Sequence, residues 1–402
     1  MSHVVVVGAG QAGSSCVAKL RSEGFTGDIT LVGGEPVPPY QRPPLSKAYL
    51  LGDMEESRLY LRPASFYADN KITLRVSTRA TAIDAAAKTV TLENTEVLHY
   101  DHLVLTTGAH PCTLPSALEG GLGNVFCVRD LADADAMAPF FVDGKKALII
   151  GGGYIGLEAA AVASKRGVST TLIEASDRIL KRVAASQTSD YFRDLHTNHS
   201  VDIREGVGLE RLIGDDTVTG AILTDGSTLE IDFAVVGIGV RPATILAYSA
   251  GLAIDNGITT NAFGQTSDPA IWAAGDCASV QMDGQHIRIE SVGNAIDQAE
   301  VVAKNIAGTQ TTYVPKPWFW SDQYDCKLQI AGLNVGYDAV HVRTDGTARS
   351  HWYYKGDTLL AVDAMNDPRN YMIGKRLIEA GKSPAPSQII DPETDMKALL
   401  KA

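Results

Sequence analysis

Twice in its length the chain runs from an apolar strand through a Gly-x-Gly-x-x-Gly turn into a helix, then on to a second strand. A chain that carries this phrase twice is expected to build two parallel-sheet modules, each aiming a helix N-terminus at a phosphate. The first copy opens with residues 4–7, four consecutive valines that read as a strand buried on both faces. Gly8-Ala9-Gly10-Gln11-Ala12-Gly13 follows, then a helix to about Glu23 and a strand over Asp28–Val32. In such a unit Gly8 makes the turn, Gly10 admits a pyrophosphate to the backbone, and Gly13, next to Ala12, lets helix and strand pack. The carboxylate expected at the end of the second strand is displaced: the strand closes Leu31-Val32-Gly33-Gly34 and the first acid is Glu35. Either Glu35 or the backbone at Gly34 meets the ribose.

The second copy is Ala147-Leu148-Ile149-Ile150, then Gly151-Gly152-Gly153-Tyr154-Ile155-Gly156, a helix through Arg166 and a strand over Ser169–Glu174. Glu174 lies 23 positions after Gly151, at the strand end, where a carboxylate accepts from the ribose hydroxyls of NAD. A 2′-phosphate would be repelled there, so this module is expected to take NADH. Two modules mean two dinucleotides. A third signal comes at residues 266–278, an apolar strand ending in Gly275-Asp276 before a run that can start a helix. Asp276 either accepts from the ribityl hydroxyls of a flavin, with the helix start facing its phosphates, or merely caps that helix.

At 402 residues the chain is expected to form two or three domains, and 45% hydrophobic with 20% charged residues is ordinary globular composition. A net charge of −12 argues against nonspecific nucleic-acid binding. No apolar run reaches the roughly 18 residues of a membrane span, and a strand-like segment begins at His3 without a leader, which together predict a cytoplasmic protein and no membrane partner. The five cysteines, Cys16, Cys112, Cys127, Cys277 and Cys326, contain no CxxC pair, so neither a metal site nor a disulfide scaffold is expected. Of nine scattered histidines only His196 and His199 lie close together, and they read as plain surface.

Beyond the two turns, the chain carries Pro39-Tyr40-Gln41-Arg42-Pro43-Pro44-Leu45-Ser46-Lys47-Ala48-Tyr49-Leu50, Thr106-Thr107-Gly108, Gly156-Leu157-Glu158, Gly275-Asp276-Cys277-Ala278, Glu290-Ser291-Val292 and Pro317-Trp318-Phe319-Trp320-Ser321-Asp322-Gln323. With these motifs the whole chain resembles the FAD-dependent pyridine-nucleotide oxidoreductases of the glutathione-reductase fold, in the branch of the ferredoxin reductases that serve bacterial oxygenases. The resemblance implies an α/β fold with two Rossmann-like domains, for FAD and NAD, and a C-terminal α+β domain. The FAD domain would comprise residues 1–110 and 240–310, the NAD domain 111–239 and the third domain 311–402. It also implies that residues 8–13 and the Gly34 region hold the ADP half of FAD. Lys47 would lie near the isoalloxazine, Ala80 would offer backbone to the adenine, Arg129 and Asp276 would continue the site, and Val292 would face the ring through its backbone. Thr106 stands where this family commonly has alanine, and Glu35 departs from its strand-end acid.

The implied activity is hydride transfer from NADH to FAD, then single electrons to a [2Fe–2S] ferredoxin feeding an oxygenase such as a cytochrome P450. Relatives that reduce disulfides carry a cysteine pair on the helix after the first turn, where this chain has only Cys16. The acceptor is therefore expected to be another molecule. Lys47 and Glu158 are the residues expected to act near the flavin edge, as an ion pair that answers charge on the reduced ring, or else as a buried structural salt bridge. Core packing is expected to account for Trp318 and Phe319, while Trp320 is expected near the flavin and the partner's approach. Two competitors stand: an NADH oxidase of the same fold, weakened by the lack of a cysteine near Gln41-Arg42, and a redox-sensing interaction protein like apoptosis-inducing factor.

Overall fold

The computed structural model describes residues 2–282 and 284–401. The chain divides into two compact units, one built from Met1–Gln41, Glu56–His110 and Val240–Pro317, the other from Arg42–Glu55, Pro111–Gly239 and Trp318–Ala402.

The first unit centres on a parallel sheet of five strands in the order Ile271–Ala273, His102–Leu105, His3–Val7, Asp28–Val32, Ile72–Arg75. The valine run explains itself here. Side chains alternate across a strand, so Val4 and Val6 pack with Leu20 and Val302 under the helices Gln11–Ser22 and Val292–Ile306. Val5 and Val7 pack on the other face with Ile83, Val90 and Leu105, under the antiparallel strands Ala80–Asp84 and Thr89–Leu92. Both faces are covered, which is why the run is apolar at every position and does not alternate.

The second unit repeats the plan. Its parallel sheet has the order Asp202–Glu205, Ser169–Glu174, Lys146–Ile150, Phe233–Val236, Val125–Cys127. Lys146 pairs with Ser169 through to Ile150 with Ile173, as His3 pairs with Asp28 through to Val7 with Val32. This unit also holds an antiparallel sheet in the order Trp318–Gln323, Cys326–Gly332, Thr358–Met365, Ala348–Lys355, Ala339–Asp345, with the helix Pro368–Glu379 on one face. Trp352, Val362 and Leu377 form its core, and a Cβ on Gly374 would come within 2.7 Å of Val362, so that helix lies close to the sheet only because glycine is there. The α/β architecture of two Rossmann-like modules and a C-terminal α+β module is therefore present.

One buried carboxyl stands out in that sheet. Asp363 is fully buried, and its Oδ2 accepts from Thr188 Oγ1 at 2.8 Å and from the Tyr353 hydroxyl. Among the described residues its Oδ1 has no partner. Burial pushes its pKa from 3.8 up to about 6, against the pull of the two hydroxyl donors. The folded protein thus keeps a proton that the unfolded chain releases, so this group's contribution to stability falls as pH rises from about 4 to about 6 and stays flat above. At about 1.4 kcal/mol per pKa unit the loss is about 3 kcal/mol. Asp363→Asn keeps an acceptor without the charge, so it should raise the melting temperature at pH 7 relative to wild type by more than it does at pH 4. An equal difference at both pH values would mean that Asp363 does not titrate in this window.

Candidate active site

The two glycine turns are the places where the backbone is forced to come close to itself. At Gly8, φ is +116°, and a Cβ there would lie 2.1 Å from the Thr106 carbonyl oxygen. At Gly151, φ is +107°, and a Cβ would lie 2.5 Å from the Gly237 oxygen. The third glycines, Gly13 and Gly156, would each put a Cβ 2.0 Å from the carbonyl oxygen of the first. Those four glycines are accounted for by packing. The middle ones are not: a Cβ on Gly10 would meet nothing within 4 Å, and one on Gly153 only the Gly237 oxygen at 4.0 Å. Each is also the N-cap of the helix that follows, in extended conformation, and among the described residues no side chain caps either helix. Neither first turn holds an acid. Open space, uncapped N–H groups and the positive end of a helix are what a pyrophosphate requires, so both turns fit a dinucleotide.

Around the first turn, Ala12 packs against Gly275, whose own Cβ would be 3.0 Å away, which seats the Gly275-Asp276 corner on the start of the first helix. The Gly275 N–H donates to Gln298 Oε1 at 2.9 Å. No helix begins after Asp276, contrary to expectation. The chain enters a strand at Ala278–Met282, and the helix starts at Val292 behind its N-cap Ser291. Val280-Gln281-Met282 pairs with Gln285–Ile287, and that antiparallel pairing wins over the helix-start signal. Glu35 is half-buried and accepts from the Tyr40 hydroxyl. Beside it Arg79, which sequence reasoning did not single out, lies over Gly34: a Cβ there would be 3.2 Å from the guanidinium carbon. Ala80 opens the next strand.

Around the second turn, Glu174 Oε2 accepts from the Gly152 N–H and Oε1 from the Ser176 N–H, both at 2.8 Å. Each oxygen keeps a lone pair for a ribose hydroxyl. Ile155 stays 41% exposed, and the Tyr154 ring tilts against Phe319 with centroids 4.8 Å apart. Burial raises the Tyr154 phenol well above its ordinary pKa, with the carboxyl of Asp363 adding to the effect.

The same unit holds Lys47, Arg129 and Trp320. Lys47 follows the Pro43–Ser46 turn, and its Nζ lies 2.7 Å from Glu158 Oε2. Glu158 is 1% exposed and has two further donors, Ser46 Oγ to Oε2 and Ser321 Oγ to Oε1, each at 2.6 Å. A carboxylate so buried needs this saturation of charge-assisted bonds. Arg42 Nη1 donates to the Arg129 carbonyl at 2.7 Å, tying the same loop to Arg129. Along Trp318–Gln323 the side chains alternate: Phe319, Ser321 and Gln323 turn toward Tyr154, Glu158 and His196, while Trp318 and Trp320 stack on the other face with centroids 5.5 Å apart. Trp318 is thus not a core residue. It is half-buried beside Trp320, with Lys375 Nζ 5.5 Å above its ring. His196 is likewise not surface but fully buried, bonded to Gln323 Oε1 at 2.7 Å, whereas His199 is exposed.

Residues 2–299 match the family described as pyridine nucleotide-disulphide oxidoreductase, and residues 318–400 match the one described as reductase C-terminal. The chain is 41% identical to rhodocoxin reductase of Rhodococcus erythropolis, over 99% of this chain and 94% of that protein. It is 40% identical to putidaredoxin reductase of Pseudomonas putida, over 100% of this chain and 97% of that one. A crystal structure of the covalent putidaredoxin reductase–putidaredoxin complex superposes with a TM-score of 0.97 at 39% identity, covering 100% of this chain and 98% of that one. No helix among the described residues is long and apolar enough to cross a membrane.

Proposed function

The chain belongs to the pyridine nucleotide-disulphide oxidoreductase family, and from that premise we propose that it is an NADH-dependent ferredoxin reductase of the cytoplasm. It takes a hydride from NADH and passes two electrons singly to a [2Fe–2S] ferredoxin that serves an oxygenase such as a cytochrome P450. The net reaction is NADH plus two oxidised ferredoxins giving NAD+, a proton and two reduced ferredoxins. Bound FAD supplies the switch from two-electron to one-electron chemistry. The observation that carries this reading is the pair of uncapped glycine turns, each with room at its middle glycine, in a chain whose relatives over nearly its full length are ferredoxin reductases.

In this reading residues 8–13, Gly34, Glu35, Ala80, Asp276 and Val292, with Arg129 and Trp320, would hold FAD. Gly151, Gly153, Tyr154, Ile155, Gly156 and Glu174 would hold NADH. The FAD domain comprises residues 1–110 and 240–310, the NAD domain 111–239 and the C-terminal domain 311–402. Lys47 offers a positive charge that Glu158 holds in place. Glu158 cannot be removed cheaply: deleting one member of a buried pair costs about 3–5 kcal/mol.

Trp320 tests the ferredoxin assignment. Its ring is half-buried and stacked on Trp318, so Trp320→Ala should leave the melting temperature close to wild type, unlike Trp352→Ala, which empties a core position at about 3–5 kcal/mol. The rate of [2Fe–2S] cluster bleaching with NADH should fall about tenfold, corresponding to about 1.4 kcal/mol. Reduction of ferricyanide, which needs no docking surface, should fall much less when both rates are expressed per bound flavin. Equal loss of both activities would remove Trp320 from the partner's path. Rapid NADH consumption by oxygen without cluster bleaching would favour an oxidase, and a long-lived reduced complex would favour a sensor.

A further inference from the structure

The Lys47–Glu158 pair is the inner end of a longer hydrogen-bonded chain. Ser321 Oγ bonds Glu158 Oε1 at 2.6 Å, Gln323 Nε2 bonds Ser321 Oγ at 3.1 Å, His196 Nε2 lies 2.7 Å from Gln323 Oε1, and the Tyr324 hydroxyl lies 3.2 Å from His196 Nδ1. Glu158, Ser321, Gln323 and His196 are each at most 1% exposed, and Tyr324 stacks on the exposed ring of His199, centroids 3.6 Å apart.

The carboxylate dictates the polarity of the chain. It has no proton to give, so Ser321 must donate to it. Ser321 has one proton, so Gln323 must donate its amide N–H to Ser321 and turn its carbonyl to His196. His196 must then carry its proton on Nε2, which leaves Nδ1 to accept from Tyr324. Burial lowers the His196 pKa to about 4, so the ring is neutral near pH 7 and has one N–H to place. Every proton in the chain points toward Glu158. Ser321 meets the need of buried Glu158 for a donor, but apolar side chains of similar volume are often as stabilising as buried polar ones, so stability alone does not call for Gln323 and His196 beyond it. Conduction gives none either, because Gln323 cannot pass a proton on without becoming its imidic tautomer.

We propose that Ser321, Gln323 and His196 are positioning residues for the Lys47–Glu158 pair: their aligned donors lock the Glu158 carboxylate in one orientation and thereby fix the Lys47 ammonium for hydride transfer. This rests on Lys47 and Glu158 acting beside the flavin. His196 is the remote orienter, and it acts only through Gln323 and Ser321.

The test uses flavin-loaded holoenzyme and three variants, Gln323→Leu, His196→Phe and His196→Gln, the last of which keeps a donor near the position of Nε2. Gln323→Leu and His196→Phe should each slow flavin bleaching by NADH about tenfold with the NADH dissociation constant unchanged, and should shift the flavin's midpoint potential. His196→Gln should restore both rate and potential toward wild type. If melting temperatures fall while rate and potential stay at wild-type values, the chain is structural and the proposal fails. A solvent deuterium isotope effect on bleaching that is present in wild type and lost in Gln323→Leu would mean that protons travel along the chain, which also overturns it. Glu158→Gln separates the layers. If that variant slows bleaching and the outer variants do not, only the relay is wrong; if it does not, the reading of Lys47 and Glu158 has failed first.

Discussion

Gly13→Val should yield protein without flavin colour, while Gly156→Val should stay yellow and lose its response to NADH. The cause is steric. A Cβ at Gly13 would sit 2.0 Å from the Gly8 carbonyl oxygen and 3.1 Å from Thr106 Oγ1, and one at Gly156 would sit 2.0 Å from the Gly151 oxygen. The strand cannot retreat, because Val7 is paired on one side with Val32 and on the other with Leu105, and Ile150 with Ile173 and Val236. The helix must move instead, by more than 1 Å on the scale of ordinary atomic contact, carrying its N–H groups away from the phosphates. Loss of about 3 kcal/mol or more in binding is about a hundredfold or more in affinity. Released FAD per chain, NADH titration, and far-UV circular dichroism to confirm folding decide the outcome. Should Gly13→Val retain a full complement of flavin, the first turn is not the FAD site. The opposite pattern, with Gly156→Val colourless, would exchange the two modules.

Much of this was legible because its causes are local. The strand, turn and helix of each module lie within 30 residues, and the glycines that make the turn announce the backbone approach directly. Strand-like Asp28–Val32 and Ser169–Glu174 occupy the spans that their apolar patterns require. What could not be read has causes at long range. Glu158 could be suspected, but its donors Ser46 and Ser321 stand 112 and 163 positions away, and nothing in a serine's neighbours says that it faces a carboxylate. The burial of His196 was hidden for the same reason, its partner Gln323 lying 127 positions on. A signal existed there: His196 lies four residues after Phe192, on the buried stripe of its helix. Trp318 could have been taken from the core by strand alternation alone, since a residue two before Trp320 shares its face. The helix expected after Asp276 failed because competing strand pairing lay further along the chain.

Glu174→Gln should move the coenzyme preference strongly toward NADPH. The carboxylate does two things. It accepts the N–H groups of Gly152 and Ser176, holding the mouth of the turn, and it places a negative charge where a 2′-phosphate would have to sit. Alanine removes both, so Glu174→Ala should weaken NADH use while improving NADPH relative to it. Glutamine removes the charge at nearly constant shape and isolates the electrostatic part. Two unit charges about 4 Å apart at an effective dielectric of about 20 repel by about 4 kcal/mol, which is several hundredfold to a thousandfold in affinity. Glu174 is half-buried, so ionic screening reduces this, and an increase of about tenfold to a hundredfold in the NADPH-to-NADH ratio of kcat/KM is the expected range. Raising salt should shrink the wild-type discrimination and leave that of Glu174→Gln nearly flat. A ratio unchanged in both variants would show that the carboxylate serves only the loop, and that NADH selectivity resides elsewhere in the module.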